Sequence, residues 1–270
     1  MSHGVGGRWR AVHMEWTKLR TVRSTAWLVL ATAGLTVAIG GLAVWSVGAS
    51  ACPTSEGCAG EDTPRLALAG VYLGQIAVVL LAVLAVTTEY GTDTMRVTLA
   101  AYPRRGIVYA AKGIVVIALV VAAGTMGVLG SFAAGRIALP GRRFVGDNAV
   151  PPLSMADGPT LRAAIGTVLY LGLIAMLSLG VAMIVRHSAA ALSSVLAMLF
   201  LPQMIAPLLT NEHWQEWVLK VSPMTAGLAI QATKGLDALP IGPWPGLGVL
   251  ASYAAVACLL GAALFTIRDA

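Results

Sequence analysis

Residues 113–135 read GIVVIALVVAAGTMGVLGSFAAG, twenty-three consecutive positions without a charge. A helix rising about 1.5 Å per residue needs about 20 apolar residues to cross the hydrocarbon of a bilayer, so this stretch is long enough to span it. Working outward along the chain, five more uncharged stretches of similar length occur. Together they predict spans at about 26–47, 66–88, 113–134, 163–185, 189–209 and 245–266. A closed β-barrel would instead show segments of about 10 residues alternating in polarity, and that alternation is absent.

Composition agrees with this reading. The 270 residues are 57% hydrophobic and 11% charged, against about 25% charged in a soluble domain, and mean hydropathy is +0.80. The fold class read from the sequence is therefore all-α: one polytopic membrane domain, residues 1–270, with six transmembrane helices. A formal net charge of +6 is compatible with nucleic acid, with an anionic membrane surface, or with the loop bias that orients spans. The positions of the charges favour the last and give no sign of a nucleic-acid partner. With the amino terminus inside, the cytoplasmic segments hold Arg8, Arg10, Lys18, Arg20, Arg23, Arg96, Arg104, Arg105, Lys112, Arg186 and Arg268 against four acids, Glu15, Glu89, Asp93 and Asp269. The outer segments hold seven bases and eight acids. The excess of bases puts both termini in the cytoplasm, with the bilayer of the cell membrane as the solvent of the spans.

The start of the chain offers a competing reading, because Ala49-Ser50-Ala51 followed by Cys52 resembles a signal-processing site. The apolar run from Trp27 to Val47 exceeds a signal-peptide core, so an uncleaved first span is expected. Cys52 and Cys58 share the first outer loop, where the compartment allows a disulfide and the small ring equally allows two thiols. Cys258 is alone in the last span and reads as a packing residue.

Between the spans, three segments carry pattern. Residues 1–24 form a candidate interfacial helix, because Trp9, Val12, Trp16 and Leu19 fall on one arc with Arg10 and Lys18 on the other side. Residues 88–112 form the second cytoplasmic connection. There Gly91 can end the second span, Thr92 or Asp93 can cap a helix, and Pro103 disfavours helix at Tyr102, leaving a short surface helix over residues 94–101. Residues 210–240 lie outside, with Trp214, Trp217, Val218 and Val221 suggesting an interfacial helix and residues 224–232 apolar enough to dip into the membrane. The connection from Arg136 to Gly158 is rich in Pro and Gly and reads as an irregular loop.

Catalytic signatures are missing. There is no phosphate loop, no His-Glu-x-x-His and no Gly-x-Ser-x-Gly, and His3, His13, His187 and His213 all lie outside span interiors. The chain is not expected to be an enzyme or to hold a metal or cofactor, and any ATP hydrolysis belongs to another subunit. No ionisable residue falls at mid-depth of a span, which weakens ion- or proton-coupled transport. Small residues such as Gly124, Gly127, Gly130, Gly172, Ser178 and Gly180 read first as close helix packing.

The stretch from Glu89 to Arg105 resembles the permease subunits of ABC transporters, in particular the ABC-2 type membrane domain of exporters. The resemblance rests on Glu89 closing the second span, Gly91-Thr92, Arg96, Pro103 and Arg104-Arg105, and on Glu15-Trp16-Thr17-Lys18-Leu19-Arg20 near the start. It implies a half-transporter. Two copies, or this chain and a related one, would form the pathway, and two cytosolic ATPase subunits carrying ATP and Mg would dock on a coupling helix after the second span. It also implies that Glu89, Gly91, Thr92, Arg96, Pro103, Arg104 and Arg105 make up the ATPase-contact region, and that a re-entrant segment before the sixth span closes the exit. Two alternatives remain: a non-ABC channel or secondary carrier, and a membrane assembly or anchoring protein.

Overall fold

The computed structural model describes residues 3–49, 62–91, 105–138 and 157–268. These form helices α1 (His3–Thr21), α2 (Arg23–Ala49), α3 (Thr63–Ala67), α4 (Val71–Gly91), α5 (Arg105–Ala138), α6 (Gly158–Val185), α7 (Ser188–Ile205), α8 (Glu212–Val221), α9 (Pro223–Leu228) and α10 (Pro243–Arg268), with short 3-10 turns after α7 and α9 and before α10. Among the described residues there is no strand. Six of the helices, α2, α4, α5, α6, α7 and α10, are long and apolar enough to cross a membrane.

The helix boundaries follow local chemistry. Asp62 caps α3 by accepting from the Arg65 N–H, and Pro64 sits where its missing donor costs nothing. Arg186 ends α6 in the left-handed region, φ 59°, so the chain reverses into α7 within two residues. Pro202 lies inside α7, and the helix gives way to a 3-10 turn at Ala206–Leu208 soon after it. Asn211 caps α8 through the His213 N–H.

The two central helices are α4 and α6. Val78, Val79, Val83 and Val86 of α4 meet Tyr170, Leu171, Ile174 and Leu177 of α6 in one apolar core, to which Leu199 of α7 and Leu250 of α10 also belong. The outer helices α2, α7 and α10 leave most of their apolar surface uncovered, including Leu30, Leu42, Leu201, Met204 and Leu259. Water would penalise that much exposed hydrocarbon, whereas acyl chains do not. Close approach is what the small residues supply. A Cβ at Gly180 would meet the Ala257 carbonyl group of α10 2.5–2.7 Å away, and one at Gly127 would press on Thr36 and Ala33 of α2. Gly172 faces open space, so packing does not explain it.

Several sequence boundaries shift. The third span, expected from residue 113, starts at Arg105, so Lys112 lies about 10 Å inside the helix rather than in the connection. The second stretch, expected as one span from residue 66, is broken into α3, a turn at residues 68–70 and α4. The Gly70 position explains the break: its missing Cβ lets the turn press against the Thr36 backbone of α2. In the segment before the last span, α8 is exposed, with Trp214 and Trp217 in an edge-to-face pair at 6.0 Å. The chain from Pro223 to Ala232 is then enclosed by α6 and α10, with Met224, Ala226 and Ile230 fully buried.

Candidate functional site

Helix α1 turns Ala11, Glu15 and Leu19 to the bundle, four residues apart and so on one face. Val12 packs beside them, while Trp9 and Trp16 point away and are exposed. The arc expected for Trp9, Val12, Trp16 and Leu19 is thus divided: its aliphatic members meet protein and its indoles face outward.

Glu15 in that face is fully buried, a position a carboxylate holds only with partners. It has two. Its Oε2 accepts from Lys112 Nζ at 2.7 Å and its Oε1 from Lys18 Nζ at 3.3 Å. Glu89, near the end of α4, closes the ring: its Oε1 lies 2.9 Å from Lys112 Nζ and 3.1 Å from Lys18 Nζ. Lys112 also donates to the Ala85 carbonyl, 3.2 Å away. Two lysines and two glutamates alternate, so the network is neutral and each charge has two opposite neighbours. Burial pulls the Lys18 proton affinity down, but the charges and hydrogen bonds of Glu15 and Glu89 outweigh it, and its pKa is raised. The network ties α1 to α4 and α5, the two helices that flank residues 92–104.

The end of α4 is held from its other side as well. The Arg186 guanidinium lies 5.0 Å from the centroid of the Tyr90 ring, and Arg186 Nη2 reaches the Leu264 carbonyl of α10 at 3.5 Å. Glu89 and Tyr90 are thereby gripped by different parts of the bundle, α1 and α5 on one side, the α6–α7 turn and α10 on the other. Beside the network, between α1, α2 and α4, lies a cavity of about 330 Å³, with Leu19, Leu28, Leu81 and Leu84 along its walls.

Two further groups of polar contacts lie elsewhere in the bundle. In the core, Tyr170 donates to Gln75 Oε1 at 2.5 Å, Gln75 Nε2 approaches the Met224 sulfur at 3.5 Å, and Gln231 donates to Thr167 Oγ1 at 3.2 Å. At the end opposite α1, the Asp62 carboxylate accepts from the Thr233 N–H and hydroxyl, both at 2.6 Å, and from the Lys234 N–H at 3.1 Å. Arg162 donates to the Ala232 carbonyl at 2.6 Å. The buried segment that follows α8 is thus fastened to α3, α4 and α6 by side chains.

Of the residues singled out from sequence, Glu89 lies in the ionic network, Gly91 ends α4 with open space around it, and Arg105 opens α5. Thr92, Arg96, Pro103 and Arg104, the surface helix expected over residues 94–101, and Cys52 and Cys58 lie outside the described residues. The sequence placed Glu15 and Lys18 in the interfacial helix and Lys112 in the second cytoplasmic connection, and did not reveal their convergence. A signal was present: Glu15 is the sole acid in the first 55 residues, and Lys112 is the sole charge between residues 106 and 135. Among the described residues no three His, Cys, Asp or Glu side chains converge as metal ligands. What the ring offers is a rigid joint between helices. Compared with protein-family models and with curated proteins, the sequence matches none.

Proposed function

We propose that this chain is the membrane-spanning permease subunit of an ATP-driven exporter of the ABC-2 type, lying in the cell membrane with α1 and both termini on the cytoplasmic side. The observation that carries the reading is the Glu15–Lys18–Glu89–Lys112 ring. A permease driven from the cytosol must pass a push at its inner connection into its spans. The ring couples both helices flanking residues 92–104 to the amino-terminal helix, so displacement of that connection is transmitted to three helices at once. A loop that only set topology would have no need of two buried carboxylates there, since each is costly to bury.

On this reading the residue 92–104 connection, with Arg96, Pro103, Arg104 and Arg105, receives a cytosolic ATPase subunit. Two such subunits bind a pair of permease chains, identical or related, and ATP and Mg are bound by the ATPases. The buried segment at residues 223–232 closes the far end of the pathway. The excess of bases in the segments at the α1 end supports the orientation.

The test is purification of the tagged full-length chain from its native membranes in a mild detergent. A nucleotide-hydrolysing subunit with a phosphate loop is expected to accompany it, with ATP hydrolysis that changes when the pair is reconstituted in lipid. Recovery of the chain without such a companion, or labelling of Arg104 from outside intact cells, would overturn the assignment. Flux in liposomes containing this chain alone would point instead to a channel or secondary carrier.

A further inference from the structure

We propose that the cavity between α1, α2 and α4 is a binding site for an anionic phospholipid of the leaflet at the α1 end, its phosphate at Lys18 and its acyl chains along Leu28, Leu81 and Leu84. The proposal goes beyond the exporter reading and does not rest on it, requiring only that the six apolar helices cross a bilayer.

The shape and lining of the cavity set the class of ligand. Its volume of about 330 Å³ falls within the range of small-molecule sites, about 300–1,000 Å³. The charged groups Glu15, Lys18, Glu89 and Lys112 are gathered by their own ring, while Leu19, Val22, Leu28, Leu81 and Leu84 supply apolar wall. A site with one charged region and apolar walls suits an amphiphile and wastes its walls on a small polar solute.

The level of the cavity suits a headgroup. It lies at the break between α1 and α2, where Ser24 and Thr25 of the first turn of α2 line it. Trp9, Trp16 and Trp27 are all exposed on these two helices, and indoles on a membrane-spanning chain favour the depth of the headgroups.

The sign of the charge selects the lipid. Within the ring the two glutamates are matched by the two lysines, and both oxygens of the fully buried Glu15 are engaged. Lys18 is the ring member most open to the surroundings, its side chain 34% exposed. Arg20 and Arg23 are exposed and flank the lining residues Leu19, Val22 and Ser24 in the chain, so the segment 19–25 that borders the cavity adds a surplus of two bases with no acid. A lipid with a net negative headgroup gains from that surplus, whereas a choline headgroup brings a cation toward it.

Native mass spectrometry of the full-length chain, titrated separately with phosphatidylglycerol and phosphatidylcholine, tests the proposal. A first phosphatidylglycerol adduct tighter than the phosphatidylcholine adduct is expected. Arg23→Gln, an exposed change outside the ring, is expected to cut that preference about fivefold, the effect of one basic side chain at a charged lipid surface. Leu84→Trp, which fills the cavity, is expected to abolish the first adduct. Leu259→Trp, on the exposed face of α10, is expected to leave it intact. Equal retention of the two lipids, survival of the adduct in Leu84→Trp, or its complete displacement by inorganic phosphate would each overturn the proposal, the last in favour of a site for a soluble anion.

Discussion

Lys112 Nζ and Glu15 Oε2 lie 2.7 Å apart although 97 positions separate the two residues in sequence, and both side chains are almost wholly shielded. Neither is tolerable alone at that depth, so each is the reason the other can be there. Lys112→Met leaves Glu15 and Glu89 facing each other with Lys18 as their one remaining cation in the ring. A loss of about 3–5 kcal/mol is expected, as for other broken buried pairs. Glu15→Gln combined with Lys112→Met keeps one positive and one negative charge and is expected to lose less than Lys112→Met alone. Thermal unfolding of the purified chain in detergent measures both; a single variant as stable as the parent would show that the ring is not formed.

Lys18 gives the ring a pH dependence with a definite sign. Burial disfavours its ammonium, the two glutamates together favour it more, and the folded-state pKa therefore stands above the ordinary 10.5. A raised lysine contributes stability that is complete below the unfolded value and is lost as pH climbs through the folded one. Stability from this residue is accordingly expected to be flat from about pH 7 to 9 and to decline above about pH 10.5. Lys18→Gln should lower stability at neutral pH and flatten that alkaline decline. A decline of the same steepness in the variant would assign it to other groups.

At the far end of the bundle Asp62 caps α3 and also accepts three hydrogen bonds from Thr233 and Lys234. Asp62→Ala strands those donors at once. The chain around residues 229–239 is expected to open more readily, by about 1–3 kcal/mol, the cost of unmaking hydrogen bonds to a charged group. Hydrogen exchange of the amides at Thr233 and Lys234 reads this directly. Asp62→Asn keeps one acceptor oxygen and should show a smaller rise. Unchanged exchange in both would mean that the buried segment is held by its apolar contacts alone.

The spans were legible because their signal is the crudest one a chain can carry: some twenty residues without charge, repeated six times. Helix ends were less so. Lys112 looked like a loop residue because a charge ordinarily marks where a span stops, yet here it is kept inside by Glu15 and Glu89, whose positions in space no local pattern reveals. The break at residues 68–70 depends on contact with Thr36, again a property of the folded pair and not of either segment. By contrast, the apolar run at residues 224–232 stood out by composition as one expected to leave the aqueous surface, and most of it is buried against α6 and α10. In the candidate site Glu89 was singled out by resemblance, while its partners emerged from three helices meeting.

Gly180 of α6 and Gly261 of α10 mark a close approach of those two helices: a Cβ on Gly180 would reach the Ala257 carbonyl and the Cys258 amide nitrogen, and one on Gly261 would meet the Gly180 carbonyl at 3.0 Å. Backbone cannot yield as a flexible side chain can. Gly180→Ala is therefore expected to push the helices apart and cost about 1–3 kcal/mol, the usual range for overpacking. Gly172→Ala on the same helix has open space and should be neutral, or slightly stabilising through helix propensity. Thermal unfolding of the two variants side by side separates packing from propensity; equal effects would deny the contact.

Arg104 and Arg105 bear on the proposed function itself. They precede Lys112 by eight and seven residues, where the 92–104 connection meets α5, so a force applied there acts along the helix that enters the ring. Reversing both, Arg104→Glu with Arg105→Glu, removes the charges a cytosolic ATPase would meet while leaving the six apolar helices and the ring untouched. The chain is expected to insert and unfold as the parent does, but ATP hydrolysis that depends on its presence should fall by about tenfold or more, the scale of losing hydrogen-bonded charge pairs at an interface. Restoring the opposite signs on the ATPase surface should recover it. Hydrolysis unchanged in the reconstituted complex would remove this connection from the docking site and leave the ring as a purely structural joint.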